Sequence, residues 1–236
     1  MLQTKMLEGI DGIIFDMDGT LLDSMWIWPS IDDDYLKKYC LKKPERFHEA
    51  MEGMSYSEVA QFFLDTFPEL SCTRQEIMDE WLLMAREKYR TQVSLKKGAE
   101  RFISRMRSQG KKIGIATSNA RELTDDALLA LQIGGLFDVV RTAGEAGAGK
   151  PAPDVYLMVA GELAVEPERC LVFEDVPMGI LAGKNAGMDT CAVEDAYSAE
   201  LWEEKKQMAD FFISDFTDIV KTDSICRPGW RQGRMM

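Results

Sequence analysis

From about residue 93 onward, short apolar runs alternate with amphipathic segments. "KIGIAT" (Lys112–Thr117), "FDVV" (Phe137–Val140), "CLVF" (Cys170–Phe173), "TCAV" (Thr190–Val193) and "FFI" (Phe211–Ile213) read as buried strands. Between them, Ala99, Phe102, Ile103 and Met106 recur at helical spacing, with Gly110 as a stop. Leu123, Ala127, Leu128 and Leu131 repeat the pattern, as do Val155, Met158 and Val159; Ile180, Leu181 and Lys184 precede a second stop, Gly187. Strands alternating with helices predict a parallel sheet covered on both faces. An earlier strand, Gly12–Phe15, stands apart from these. Residues 24–92 hold no convincing strand, and two capping-box spacings, Ser55 with Glu58 and Thr73 with Glu76, precede apolar helical stripes.

The predicted architecture is therefore α/β, a doubly wound Rossmann-like parallel sheet interrupted by an all-helical domain. Residues 1–22 and 93–222 form the core, 23–92 the helical insert, and 223–236 a tail without periodicity, expected to be mobile and solvated. Asp32–Asp34 read as a solvated helix start. His48, the only histidine, reads as a surface or packing residue.

Of the 236 residues, 46% are hydrophobic, enough for a sizeable core. The net charge of −12 disfavours a nucleic-acid partner, whose phosphates would be repelled. A small phosphorylated ligand remains compatible, because a lysine and a divalent cation reverse the field within one cleft. Five cysteines without a CxxC pair give no disulfide or zinc framework and suggest a reducing compartment. No run is long enough for a signal peptide or a membrane span, so a cytoplasmic, membrane-free monomer is the expectation.

Polar clusters fall where the predicted strands end, the edge at which open parallel sheets bind ligands. Asp16 and Asp18 follow the first strand; Thr117, Ser118 and Asn119 follow "KIGIA"; Glu174 and Asp175 follow "CLVF"; Lys150 lies in the loop "GAGKPAPD". An aspartate can attack phosphorus, and a second carboxylate two residues on points to the same side to carry the proton. Gly19 permits a tight turn. Asp16 and Asp175 offer oxygens to Mg²⁺, while Lys150 and Thr117 suit phosphoryl oxygens. Ser118 and Asn119 are further phosphate-binding candidates, through their side chains or through backbone N–H groups alone at a helix start. An EF-hand loop needs glycine at its sixth position and glutamate at its twelfth; Leu21 and Ile27 stand there instead. A phospho-accepting receiver domain is about half this length and lacks the insert.

"DMDGT", "IATSN", "GKPAPD" and "VFEDVPMGILAGKNAGM", in this order, resemble the four motifs of the haloacid dehalogenase superfamily. The insert resembles its C1-type helical cap, and the nearest branch is similar to β-phosphoglucomutase and phosphoglycolate phosphatase. The resemblance implies that Asp16 is the nucleophile and Asp18 the general acid/base, with Thr117 and Lys150 on the transferring phosphate. It further implies Mg²⁺ at Asp16, Asp175, the Asp18 carbonyl and Glu174, the last either as a ligand or as the holder of a bound water. Dehalogenases lack the acid at position 18, which disfavours carbon–halogen cleavage. Val176 stands where the family often has serine. Mutases typically carry an Arg-Lys-Gly stretch in the cap, whereas this chain has "EAMEGMSYSE", with Met51 and Glu52 before Gly53. An acid there opposes the grip on a second phosphate. The expected activity is a Mg²⁺-dependent phosphatase acting on a small phosphorylated metabolite, with the cap closing over it. A hexose-phosphate mutase and a catalytically idle phospho-metabolite binder are the alternatives. Trp26, Trp28, Met54 and Tyr56 are candidate pocket residues.

Overall fold

The computed structural model describes residues 6–51, 54 and 56–220, without the side chains of residues 48, 49 and 220. Expectations for His48, for Glu52, for the Ser55 cap and for the tail fall outside what is described.

The strands are β1 (Gly12–Phe15), β2 (Leu22–Asp23), β3 (Ser94–Leu95), β4 (Lys112–Thr117), β5 (Val139–Thr142), β6 (Cys170–Glu174), β7 (Asp189–Val193) and β8 (Phe211–Ile213). The helices are α1 (Ile27–Lys38), α2 (Phe47–Ala50), α3 (Tyr56–Thr66), α4 (Arg74–Thr91), α5 (Ala99–Ser108), α6 (Arg121–Ala130), α7 (Ala143–Ala146), α8 (Asp154–Leu163), α9 (Pro177–Asn185), α10 (Trp202–Met208) and α11 (Thr217–Val220). By packing, the chain divides into two compact units. Among the described residues, one contains 6–21, 95–118 and 135–220; the other contains those within 22–94 and 119–134.

The first unit is built on a parallel six-stranded sheet in the order β5-β4-β1-β6-β7-β8. The chain builds outward from β1 to β4 and β5, then returns to the other side through β6. The switch point is thus at β1, the place where such sheets bind ligands. β1 is buried on both faces, as a central parallel strand must be. Phe15 points to one face, where it stacks on Phe173 at 5.2 Å and meets Phe102 and Phe216 edge-on or tilted. Ile14 points to the other, into a cluster with Val155, Tyr156, Val159, Val172 and Ala182. The face of α5 is as the spacing predicts: Ala99, Phe102, Ile103 and Met106 are all buried.

β5 starts two residues later than its apolar pattern suggests. The Asp138 carboxylate accepts a hydrogen bond from the Ile113 N–H (2.9 Å), so it caps the neighbouring strand rather than extending its own. Arg141, inside β5, pairs in a fork with Glu162 at 2.7 and 2.8 Å, which lets a half-exposed strand tolerate a charge.

In the second unit, the capping box at Thr73 and Glu76 starts α4 as predicted. Tyr35, Phe63, Trp81 and Phe67 form its aromatic core. Helix α6, which the sequence pattern assigns to the α/β core, packs here on α4 and is tied to it by Arg86–Asp126 (2.6 Å). Asp32–Asp34 lie in the middle of α1, not at its start. Asp33 and Asp34 pair with Lys43 and Lys88, while burial and the neighbouring Asp33 push the half-buried Asp32 carboxyl up to about 7.

No helix among the described residues is long and apolar enough to cross a membrane. Cys40, Cys72, Cys170 and Cys191 are free thiols.

Candidate active site

β1 ends into the chemistry. Asp16 follows it directly, and its N–H donates to the Phe173 carbonyl (2.9 Å), so the ladder to β6 fixes its backbone. Met17 is fully buried and Asp18 half buried. The chain then turns at Gly19, whose φ of 80° is accessible to glycine at no steric cost.

Lys150 is the hub. Its ammonium donates to Asp16 Oδ1, to Glu174 Oε1 (2.5 Å) and to the Ala116 carbonyl at the end of β4 (3.3 Å), using all three donors. It also lies 5.1 Å from the centre of the Tyr156 ring. Burial alone would lower the lysine pKa, but the charges of Asp16 and Glu174 outweigh it and hold the ammonium raised. Burial, with the charges of Glu174 and Asp175, also raises the Asp16 carboxyl well above its usual range, against the pull of Lys150.

Glu174, the last residue of β6, is fully buried. Oε1 accepts from Lys150 and from the Tyr156 hydroxyl (2.7 Å); Oε2 accepts from the N–H groups of Asp175 (3.0 Å) and Val176 (3.4 Å). Four donors match the roughly four lone-pair sites of a carboxylate. Room for this arrangement comes from Gly179 in α9. A Cβ at that position would stand 1.8 Å from Glu174 Oε1, an impossible contact.

Asp175 presents the complementary picture. Oδ1 accepts from the Thr20 hydroxyl (2.9 Å), but the buried Oδ2 has no partner. Burial first, and then the Glu174 charge, push this carboxyl up to about 7. A buried carboxylate oxygen without a donor is costly and calls for a cation. Ligand oxygens of Asp16, Glu174 and Asp175 lie within 4.8 Å of one another. With all three carboxyls ionised, the Lys150 ammonium leaves an excess of two negative charges on a set of oxygen ligands, which fits a hard divalent ion.

The remaining candidates separate. Thr117 is buried at the end of β4, and Ser118 is exposed next to it. The Asn119 side chain is engaged within the second unit: its amide N–H donates to the Tyr89 hydroxyl and its oxygen accepts from the Ala120 N–H, both at 2.8 Å. Trp26 donates its indole N–H to the Asp23 carbonyl (3.0 Å). Trp28 packs edge-on against Tyr56 and Tyr56 against Trp81, each at 5.8 Å, while Met54 is exposed. Packing within the helical unit accounts for Trp28 and Tyr56. Sequence reading overlooked Tyr156 and Thr20. Tyr156 is the one hydroxyl on the inward stripe of α8, and Thr20 stands inside "DMDGT".

Fold and site thus define an α/β protein that gathers carboxylates and a lysine at the switch point of a doubly wound sheet. The chain belongs to the haloacid dehalogenase-like hydrolases, whose family model matches residues 13–193. It is 30% identical over 227 residues to a protein of Drosophila melanogaster named a probable pseudouridine-5'-phosphatase, covering 91% of this chain and 93% of that one. Hexitol phosphatase B of Escherichia coli is 26% identical, covering 89% and 94%. Among solved structures, one from Thermotoga maritima, provisionally assigned as a β-phosphoglucomutase, superposes with a TM-score of 0.79 at 22% identity, covering 92% of this chain and 100% of that one. That last likeness shows the shared fold.

Proposed function

We propose that the chain is a Mg²⁺-dependent phosphatase that hydrolyses a small phosphomonoester through an aspartyl phosphate on Asp16. The observation that carries this reading is the pairing of Asp16 with Lys150 beside the partnerless Asp175 Oδ2. The names of the two curated relatives, both phosphatases, support it.

An Asp16 carboxylate oxygen attacks phosphorus, and the bond to the ester oxygen breaks as the Asp18 carboxyl gives that oxygen its proton. The Asp18 carboxylate then takes a proton from water. The water oxygen attacks the same phosphorus, the bond to Asp16 breaks, and inorganic phosphate leaves. Lys150 and Thr117 bind the phosphoryl oxygens, where charge gathers in both transition states. Asp16, Asp175 and the Asp18 carbonyl would hold Mg²⁺, which would supply charge neutralisation at those oxygens. Glu174, with four donors already on its carboxylate, braces Lys150 instead of ligating.

The test is phosphate release from pseudouridine 5'-phosphate, hexitol phosphates, hexose phosphates, phosphoglycolate and nucleotides, with Mg²⁺ and with chelator. Release that requires Mg²⁺ supports the reading. A protein that only interconverts hexose phosphates when given a bisphosphate would instead be a mutase.

Cation binding has a pH signature. A carboxyl with a raised folded-state pKa binds a proton that the unfolded chain has released. Asp175 therefore removes stability from the cation-free protein as pH rises from about 4 towards 7, and Asp16 acts in the same direction. A cation competes with those protons. Saturating Mg²⁺ is expected to raise the melting temperature more at pH 8 than at pH 5, read by thermal denaturation with and without the ion. An equal or larger rise at pH 5 contradicts this.

A further inference from the structure

Lys205 lies in "EEKKQM", a stretch that reads as the charged outer face of a helix. Its neighbour Lys206 is partly exposed and pairs with exposed Glu203. Lys205 itself is fully buried. Its ammonium donates to the Asp175 carbonyl (2.8 Å), to Ser198 Oγ (2.9 Å) and to the Val193 carbonyl (3.3 Å), and lies 5.2 Å from the centre of the Trp202 ring. Ser198 Oγ donates to the same Asp175 carbonyl (2.9 Å). A buried ammonium is costly unless every donor is matched. Here every donor is matched, and the carbonyl they converge on belongs to the residue with the partnerless carboxylate oxygen.

We infer that Lys205, with Ser198, is a positioning residue for the cation site. Two donors on the Asp175 carbonyl fix the peptide after it, while the Asp175 N–H is held by Glu174 Oε2 (3.0 Å). The backbone is thereby pinned on both sides of the residue, and the carboxylate is aimed before any ion arrives. The ammonium also places positive charge behind Asp175, which offsets the crowding of carboxylates on the front. Lys205 needs no contact with substrate or ion to act in this way.

The inference rests on the phosphatase reading, and one set of measurements separates the two. Mn²⁺ binding is followed by electron paramagnetic resonance on wild type, Lys205→Met and Ser198→Ala. Steady-state hydrolysis is measured alongside, across Mg²⁺ and substrate concentrations. Lys205→Met is expected to weaken Mn²⁺ binding and raise the Mg²⁺ half-saturation by about tenfold or more, the range for partners that orient metal ligands. Ser198→Ala should shift both in the same direction by a smaller factor. The substrate KM at saturating Mg²⁺ should stay near wild type, a split that general loosening would not give. Unchanged Mn²⁺ affinity in both folded variants overturns the role of Lys205 while leaving the phosphatase intact. A wild type that neither binds Mn²⁺ nor releases phosphate overturns both. Should Lys205→Met fail to fold, Ser198→Ala decides alone, because it keeps the charge and removes one of the two donors.

Discussion

Asp16→Asn is expected to lower phosphate release by roughly four orders of magnitude or more, the scale seen when a covalent nucleophile is removed. The amide is nearly isosteric, so position and packing persist, but it cannot form the acyl phosphate. The substitution also changes the electrostatics in a way that separates chemistry from folding. The ionised Asp16 carboxylate is buried among Glu174 and Asp175, and its folded-state pKa is raised because the site resists that charge. Removing it takes the cluster from an excess of two negative charges to one. Lys150 keeps Glu174 and the Ala116 carbonyl as acceptors. Stability without cation should therefore stay within about 1 kcal/mol of wild type or rise, as happens when a site organised for activity is relaxed. The stabilisation by Mg²⁺ should shrink at the same time. Thermal melts with and without the ion, run beside the assay, check all three. Residual turnover within about tenfold of wild type would remove Asp16 from the role of nucleophile.

How much of this was legible in the sequence depends on what each residue's role requires. Asp16, Thr117 and Asp175 are marked by local pattern, apolar strands that stop at polar residues, and Lys150 by its glycine- and proline-rich loop. A parallel sheet with its switch point at β1 then brings most of those stops to one edge without any side-chain detail. The strands themselves were readable for the same reason, since strands buried on both faces are continuous apolar runs. β5 was misplaced because it is half exposed and its boundary is set by the Asp138 carboxylate reaching Ile113, a contact 25 residues away in sequence.

What pattern could not reveal are roles defined by a partner far along the chain. Glu174 looks like a metal ligand by its position beside Asp175. That it also accepts from Lys150 and the Tyr156 hydroxyl, in space left by Gly179, is set by residues far along the chain. Lys205 and Lys206 are indistinguishable in sequence, yet the first is fully buried and the second only partly. Helix α6 carries a regular apolar stripe that fits any partner, and the choice of α4 rests on packing and on Arg86–Asp126. Periodicity shows which face a helix buries, not against what.

Lys150→Met should be the most destabilising single change in the site, and the double variant shows why. Methionine keeps the length and most of the volume, so no large cavity opens. The loss is electrostatic: Asp16 and Glu174 remain buried without their shared cation, and breaking a buried pair from one side typically costs about 3–5 kcal/mol. The cost depends on pH. The Asp16 carboxyl, deprived of Lys150, holds its proton to still higher pH, and once protonated it no longer repels its neighbours. The deficit relative to wild type should therefore be largest near pH 8 and shrink towards pH 5. Phosphate release should fall by about two to three orders of magnitude, as for other losses of a preorganised donor. In the Asp16→Asn background the same Lys150→Met change should cost less, because one of the two stranded charges is already gone. A coupling energy of about 1–3 kcal/mol between the positions is expected. Chemical denaturation of wild type, both single variants and the double variant measures it. Additive losses, or a deficit that grows as pH falls, would mean that Lys150 stabilises the fold through packing and that the charge balance assigned to this cluster is wrong.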